Sequence, residues 1–181
     1  MDVPGLRDMT KDEQFGWYYG SPIPVPMFGG KQCRIVLDGY DEDERKEDFQ
    51  VAIANFLSGS PAVLREVDEP LFRYYKDFED WWLEDDTQPI NSADELWQHV
   101  QLGSEPMVSR RPRGDKGVYI SVECECDWED EHGLQLVLKN GAKVNKLGGY
   151  DGHLTNSDAF ADDSLEHVIY PVRWRGRRPS P

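Results

Sequence analysis

Apolar and polar residues alternate from Val118 to Asp127. Val118, Ile120, Val122, Cys124 and Cys126 fall on one side, with Tyr119, Ser121, Glu123, Glu125 and Asp127 between them. Strand side chains point alternately to two faces, so the pattern predicts a strand with a dry face and a wet face. Leu134, Leu136 and Leu138 resume the alternation before Asn140-Gly141, a pair suited to the positive φ values of a tight type I′ turn. The segment therefore reads as an antiparallel meander. Cys33, Ile35 and Leu37 share a face in a second hairpin candidate turned by Gly29-Gly30, and prolines at 22, 24 and 26 suit an edge strand or an extended loop. A further strand is expected at Met107 to Arg110, followed by an exposed Arg-Pro-Arg-Gly turn.

Three helices are expected between the strands. Phe49, Ile53, Phe56 and Leu57 recur at helical spacing and Gly59 closes that helix. Ser60-Pro61 offers an N-cap and a first-turn proline for the next, whose stripe is Leu64, Val67, Leu71, Tyr74/Tyr75, Phe78 and Trp81/Trp82. Pro70 must kink that helix or divide it. Ser92-x-x-Glu95 is a capping box for a short third helix holding Leu96, Trp97 and Val100. Residues 143–163 are rich in Gly, Asn, Asp and Ser and read as mostly loop, with a brief strand around Val144. The fold expected is α+β: an antiparallel sheet of about five or six strands with about three helices packed on one face. Residues 1–12 read as a mobile arm, 13–170 as a single domain, and 171–181 as a disordered tail rich in Arg and Pro.

Charge narrows the choice of partner. The 181-residue chain carries −15, and four arginines follow Pro171 with no acid among them, which leaves −19 on residues 1–170. A body that acidic repels phosphates, so nucleic acid is not expected as a partner. No apolar run approaches the ~18 residues needed to span a bilayer, and the chain lacks a basic start leading into an apolar stretch, so a cytoplasmic protein without a membrane partner is expected. Three cysteines cannot complete a disulfide framework; Cys124 and Cys126, roughly 6.6 Å apart along one strand face, are badly placed to pair. They read as reduced core residues.

The candidate chemistry lies at the end of the first meander strand. Asp127, Glu129, Asp130, Glu131 and His132 place four carboxylates and an imidazole within six residues, a set that could ligate a divalent cation through Asp127, Glu129, Glu131 and His132. The calcium-loop pattern fails, because His132 stands where the sharp-turn glycine belongs and Leu138 where the bidentate acid belongs. A structural reading is preferred to metal binding, and metal binding to acid/base catalysis: His132 hydrogen-bonds the turn, Gly133 supplies a positive φ, and Trp128 anchors the loop. A second candidate is the loop with Asp151 and His153, which would join His132 if it folded back over the turn. No catalytic residues and no cofactor are expected: the sequence has no G-x-S-x-G elbow, no HExxH and no complete dinucleotide loop.

The stretch Cys126 to Leu136, reading CDWEDEHGLQL, resembles an uncharacterised bacterial family of small acidic proteins that carry a W-[DE]-x-E-H-G-L turn after a tyrosine-containing strand. The matching positions are Tyr119, Trp128, Glu129, Glu131, His132, Gly133 and Leu134, with the start from Phe15 to Leu57 also similar. The resemblance implies an α+β domain of unknown function, with some similar genes among toxin-immunity clusters, and it supplies no catalytic residues. The expected function is a non-enzymatic acidic binding protein of the immunity type. It would recognise a basic protein partner through the acids of Asp41 to Asp48 and Glu79 to Asp86. The alternative is a metal-binding module or metal-dependent hydrolase centred on residues 127–133.

Overall fold

The alternating stretch at 118–126 forms a central strand, and the rest of the molecule is arranged around it. The computed structural model describes residues 2–84 and 87–171. In chain order they form β1 (Thr10–Lys11), β2 (Tyr18–Tyr19), β3 (Ile23–Val25), β4 (Lys31–Cys33), β5 (Val36–Leu37), α1 (Lys46–Ser58), α2 (Ala62–Arg65), α3 (Asp68–Glu84), α4 (Ala93–Leu96), β6 (Val100–Gln101), β7 (Met107–Arg110), β8 (Val118–Cys126), β9 (Glu129–Lys139), β10 (Lys143–Gly148) and α5 (Asn156–Phe160). The disordered tail expected from composition lies, from residue 172 onward, outside the described residues, as do Asp85 and Asp86.

The fold is α+β, but its sheet is larger than the five or six strands expected. Eight strands join in the order β1-β2-β5-β7-β8-β9-β10, with β6 also on β8, while β3 and β4 make a separate hairpin. The sheet is also mixed, since β5 runs parallel to β7 and every other pair is antiparallel. The extra strands are two-residue pieces, too short for any periodicity to register. Within the segment expected as a mobile arm, Val3 is buried in the core and β1 pairs with β2.

The helical expectations hold with local corrections. α1 ends at Gly59. The second helix is divided as Pro70 requires, but the break falls between Arg65 and Asp68, and Pro70 sits in the first turn of α3, where its missing N–H leaves no helical bond unmade. Ser60 does not cap α2 with its side chain. The expected capping box forms in part: Ser92 Oγ accepts from Glu95 N at 3.2 Å, while the Glu95 carboxylate accepts from Asn91 N, one residue before the cap, at 3.0 Å. The third helix is shorter than expected, and Val100 belongs to β6. Five α-helices are described in place of three, because the second divides and α5 forms where a loop was expected, its Thr155 Oγ1 accepting from Asp158 N at 3.1 Å.

α1 and α3 pack on one sheet face. Phe49, Ile53 and Phe56 from α1, and Leu71, Tyr74 and Tyr75 from α3, join Ile120, Val122, Leu136 and Leu138 in one core. The expected cysteine chemistry also holds: Cys33, Cys124 and Cys126 are free and buried, and burial pushes the Cys124 thiol up to about 12. Asn140 and Gly141 both take positive φ, as the turn requires, although the β9–β10 loop is three residues long. Gly141 lies against α1 so closely that a Cβ there would stand 2.0 Å from Ala52 O.

The other sheet face is not uniformly wet. Glu123 and Glu125 are exposed as expected, but Tyr119 is buried, as are Val137, Gln135 and Lys146 on the strands beside it. The C-terminal segment reaches this end of the face. Leu147 N donates to Ile169 O, Lys146 Nζ to Asp151, and Arg111 to Asp158 and Glu166.

Candidate functional site

β8 and β9 are joined by Asp127 and Trp128 alone, so the acidic stretch is not a long turn. Cys126 pairs with Glu129 and Cys124 with Leu134, which leaves Asp130, Glu131, His132 and Gly133 opposite the single Glu125 as a bulge in β9. The buried Glu129 carboxylate organises that bulge, accepting from Glu131 N at 3.1 Å and from His132 N at 2.9 and 3.1 Å. Tyr74 from α3 closes it by donating to Gly133 O at 2.6 Å. Burial, with the nearby Glu129 carboxylate, holds the Tyr74 hydroxyl in its neutral donor form well above the ordinary range. Gly133 has φ +59, and a Cβ there would meet Cys124 O at 2.5 Å. Trp128 is buried with its ring edge-on to Tyr74 and Tyr75, the anchor expected of it.

The four expected metal ligands do not converge. Glu129, Glu131 and His132 offer donor atoms within 4.8 Å of one another. Asp127 turns instead to His99, 2.9 Å from its Nδ1, a pair that the sequence did not signal. Glu129 is already engaged by backbone donors, and its Oε1 lies 3.5 Å from His132 Nδ1. A cation would have to compete with those amides for the same oxygens.

The second candidate loop does fold back over the bulge. Tyr150 N donates to His132 O at 3.1 Å, and Asp151 and His132 line one pocket of about 240 Å³. Asp151, however, accepts from Lys146 Nζ and from His153 N, both at 2.8 Å, and His153 is not part of the pocket wall. Lys146 is 1% exposed and also donates to Gln135 Oε1 at 2.5 Å. Burial pulls the Lys146 ammonium below its ordinary pKa, against the opposing pull of Asp151.

A larger groove of about 810 Å³ opens on the uncovered half of the second sheet face. Its floor carries Ser121, Glu123 and Glu125; Asp130, Glu131 and Tyr150 form one side, and Trp17, Tyr19 and Glu105 also line it. Lys31 is present too, but it donates to Leu102 O, and Glu105 pairs with Arg34. Among the described residues, Glu123, Glu125, Asp130 and Glu131 make no ion pair.

The acid runs expected to face a partner are partly used within the fold. Asp43 accepts from Arg110 Nε at 2.6 Å and Nη2 at 3.0 Å, and Asp48 lies 2.9 Å from Arg110 Nη1. Arg110 holds the Asp43 carboxyl below the usual range. In the second run Glu79 pairs with Lys76, and just before it Asp77 accepts from Tyr170 Oη at 2.7 Å. Glu42, Glu44 and Glu47 remain exposed but line none of the described pockets.

Arg111 was expected on an exposed turn and is instead 2% exposed, donating to Asp158 at 2.6 and 2.9 Å and to Glu166 at 2.5 and 2.9 Å. No local pattern could signal a pairing across some fifty residues. The cap of α5 was within reach, since Thr155-x-x-Asp158 has capping-box spacing.

Residues 5–154 match the family described as "Domain of unknown function (DUF6985)", and the chain belongs to that family. No curated protein and no solved structure matches the chain significantly. The family match ends before Asp158 and Glu166, the partners of Arg111.

Proposed function

We propose that this protein is an acidic binding protein, and that the groove over Glu123, Glu125, Asp130 and Glu131 receives a basic segment of a protein partner. The observation that carries the reading is the combination of concavity and charge: four carboxylates that make no ion pair among the described residues line a groove of about 810 Å³ that Trp17, Tyr19 and Tyr150 also border. Aromatic faces attract guanidinium and ammonium groups, and carboxylates accept their hydrogen bonds, so arginine and lysine side chains suit both kinds of wall. A role of the immunity type, neutralising a basic partner in the cytoplasm, extends this reading. Charge complementarity supports it by speeding encounter and rejecting acidic competitors. Three free cysteines fit a reducing compartment, and no helix among the described residues is long and apolar enough to cross a membrane.

The test uses an arginine-rich octapeptide with tryptophan fluorescence as the readout. Saturable binding that weakens as salt rises, with a signal reduced in Trp17→Phe, supports the proposal. An acidic peptide binding equally well contradicts it. Metal binding at Glu129, Glu131 and His132 is the second reading, favoured by the proximity of their donor atoms and opposed by the amides that already occupy Glu129.

A further inference from the structure

The acidic groove and the smaller pocket of about 240 Å³ share two wall residues, His132 and Tyr150. Tyr150 N donates to His132 O at 3.1 Å, so the shared wall is tied together, and Tyr150 is 44% exposed, which leaves it open to a chain that crosses from one concavity to the other. The two sides differ in chemistry. The groove presents carboxylates, whereas Tyr74, Phe78, Leu147, Tyr150, Phe160 and Tyr170 form much of the pocket wall. The polar groups of the pocket already have protein partners: Tyr170 donates to Asp77, Lys146 to Gln135 and Asp151, and Glu129 accepts two backbone amides. Phe160 is 41% exposed, an apolar surface of the kind that a partner covers.

We propose that the pocket receives an aromatic side chain of the same partner segment whose basic residues lie in the groove, so that the protein selects an aromatic residue set among arginines or lysines. The inference rests on the groove reading given above. At about 240 Å³ the pocket is smaller than the roughly 300–1,000 Å³ usual for small-molecule sites and suits a single side chain. Its engaged polar groups leave little for a polar side chain to pair with, and burying one unpaired is costly. A ring loses nothing of that kind and gains edge-to-face contacts. Tyr74 already meets Phe78 and Tyr170 in this way, with centroids 5.2 and 5.5 Å away at interplanar angles of 75° and 64°. Successive side chains of an extended segment point in opposite directions, so a ring can enter the pocket while the basic residues beside it stay over the carboxylates. A buried aromatic anchor ringed by charged contacts is the arrangement that concentrates binding energy in an interface.

Calorimetric titration of the full chain with two arginine-rich octapeptides tests it, the peptides differing only at one central residue, phenylalanine in one and alanine in the other. The wild type is expected to bind the phenylalanine peptide at least tenfold more tightly. Phe160→Ser, which leaves the net charge unchanged, is expected to cut that preference at least threefold while the affinity for the alanine peptide stays the same, which also establishes that the variant folds. Phe160→Leu, which keeps the wall apolar and removes the ring, is expected to lower the preference too and replaces the serine variant if that one unfolds. A wild-type preference below tenfold, with both peptides bound, overturns this inference and leaves the groove reading standing. Failure of both peptides to bind overturns both. A preference that the folded variants leave unchanged overturns the inference as well, because the ring would then sit elsewhere.

Discussion

The Glu129 carboxylate lies 2.9 Å from the backbone nitrogen of His132 and 3.5 Å from the ring nitrogen of the same residue, so it clamps the main chain of His132 more closely than it meets the imidazole. A carboxylate used in this way shapes a bulge, and a cation would have to displace the amides to use it. Titrating zinc, manganese or calcium is accordingly expected to give no saturable rise in melting temperature. A rise that scales with the logarithm of ion concentration and disappears in His132→Ala would establish the metal reading instead.

Gly133 keeps the bulge in place. A side chain there meets Cys124 O and must also adopt a left-handed φ, so Gly133→Ala is expected to lower stability by about 1–3 kcal/mol. Urea unfolding measures it, and a variant as stable as the wild type would mean that the bulge relaxes freely.

Arg111 is the buried cation that ties β7's end to the C-terminal segment. Arg111→Met leaves Asp158 and Glu166 without their partner and is expected to cost about 3 kcal/mol, near the low end for breaking a buried pair, because both carboxylates retain some solvent. Calorimetry of the variant checks this. A loss below about 1 kcal/mol would reduce the network to surface pairing.

The same network sets an acid limit. Hydrogen bonds from Arg111 hold Asp158 and Glu166 below their ordinary 3.8 and 4.5. Asp115, which burial alone would raise, is brought to about 2 by Lys139, the Gly117 amide and Tyr119. Each carboxyl binds its proton more weakly folded than unfolded, so the unfolded state takes up more protons in this window. Stability is therefore full above about pH 4.5 and falls as pH drops toward 2. Urea midpoints at successive pH values follow the loss, and Asp158→Asn is expected to flatten the profile. A midpoint unchanged between pH 5 and 3 would contradict the assignment.

Much of this architecture was legible in the sequence where a pattern is local. The 118–138 alternation, the α1 and α3 stripes, the Ser92 cap and the requirement for glycine at 133 all depend on residues within a turn or a strand of one another. Burial of Lys146 was not legible, because it depends on the chain beyond β10 returning over the second sheet face, and neither was that of Tyr119, whose hydroxyl donates to Asp115 and whose ring lies beneath Lys139. Nor was the groove, whose walls come from Trp17, Glu105, Glu123 and Tyr150, positions far apart in the chain. Within the acidic stretch, composition gave the ligand types but not their directions. Asp127 lies in the tight turn and Glu129 follows it, and one meets His99 while the other turns into the bulge.

The central claim is that binding charge resides in the groove rather than on the acid run ahead of α1. The direct measurement is the affinity of an arginine-rich octapeptide for two triple variants of equal net charge: Glu123→Gln/Glu125→Gln/Asp130→Asn in the groove, and Glu42→Gln/Glu44→Gln/Glu47→Gln on the run. The groove variant is expected to bind at least tenfold more weakly than the wild type and the run variant less than threefold more weakly. Equal losses in both would show that net charge alone attracts the peptide, and a greater loss in the run variant would move the binding surface to residues 41–48.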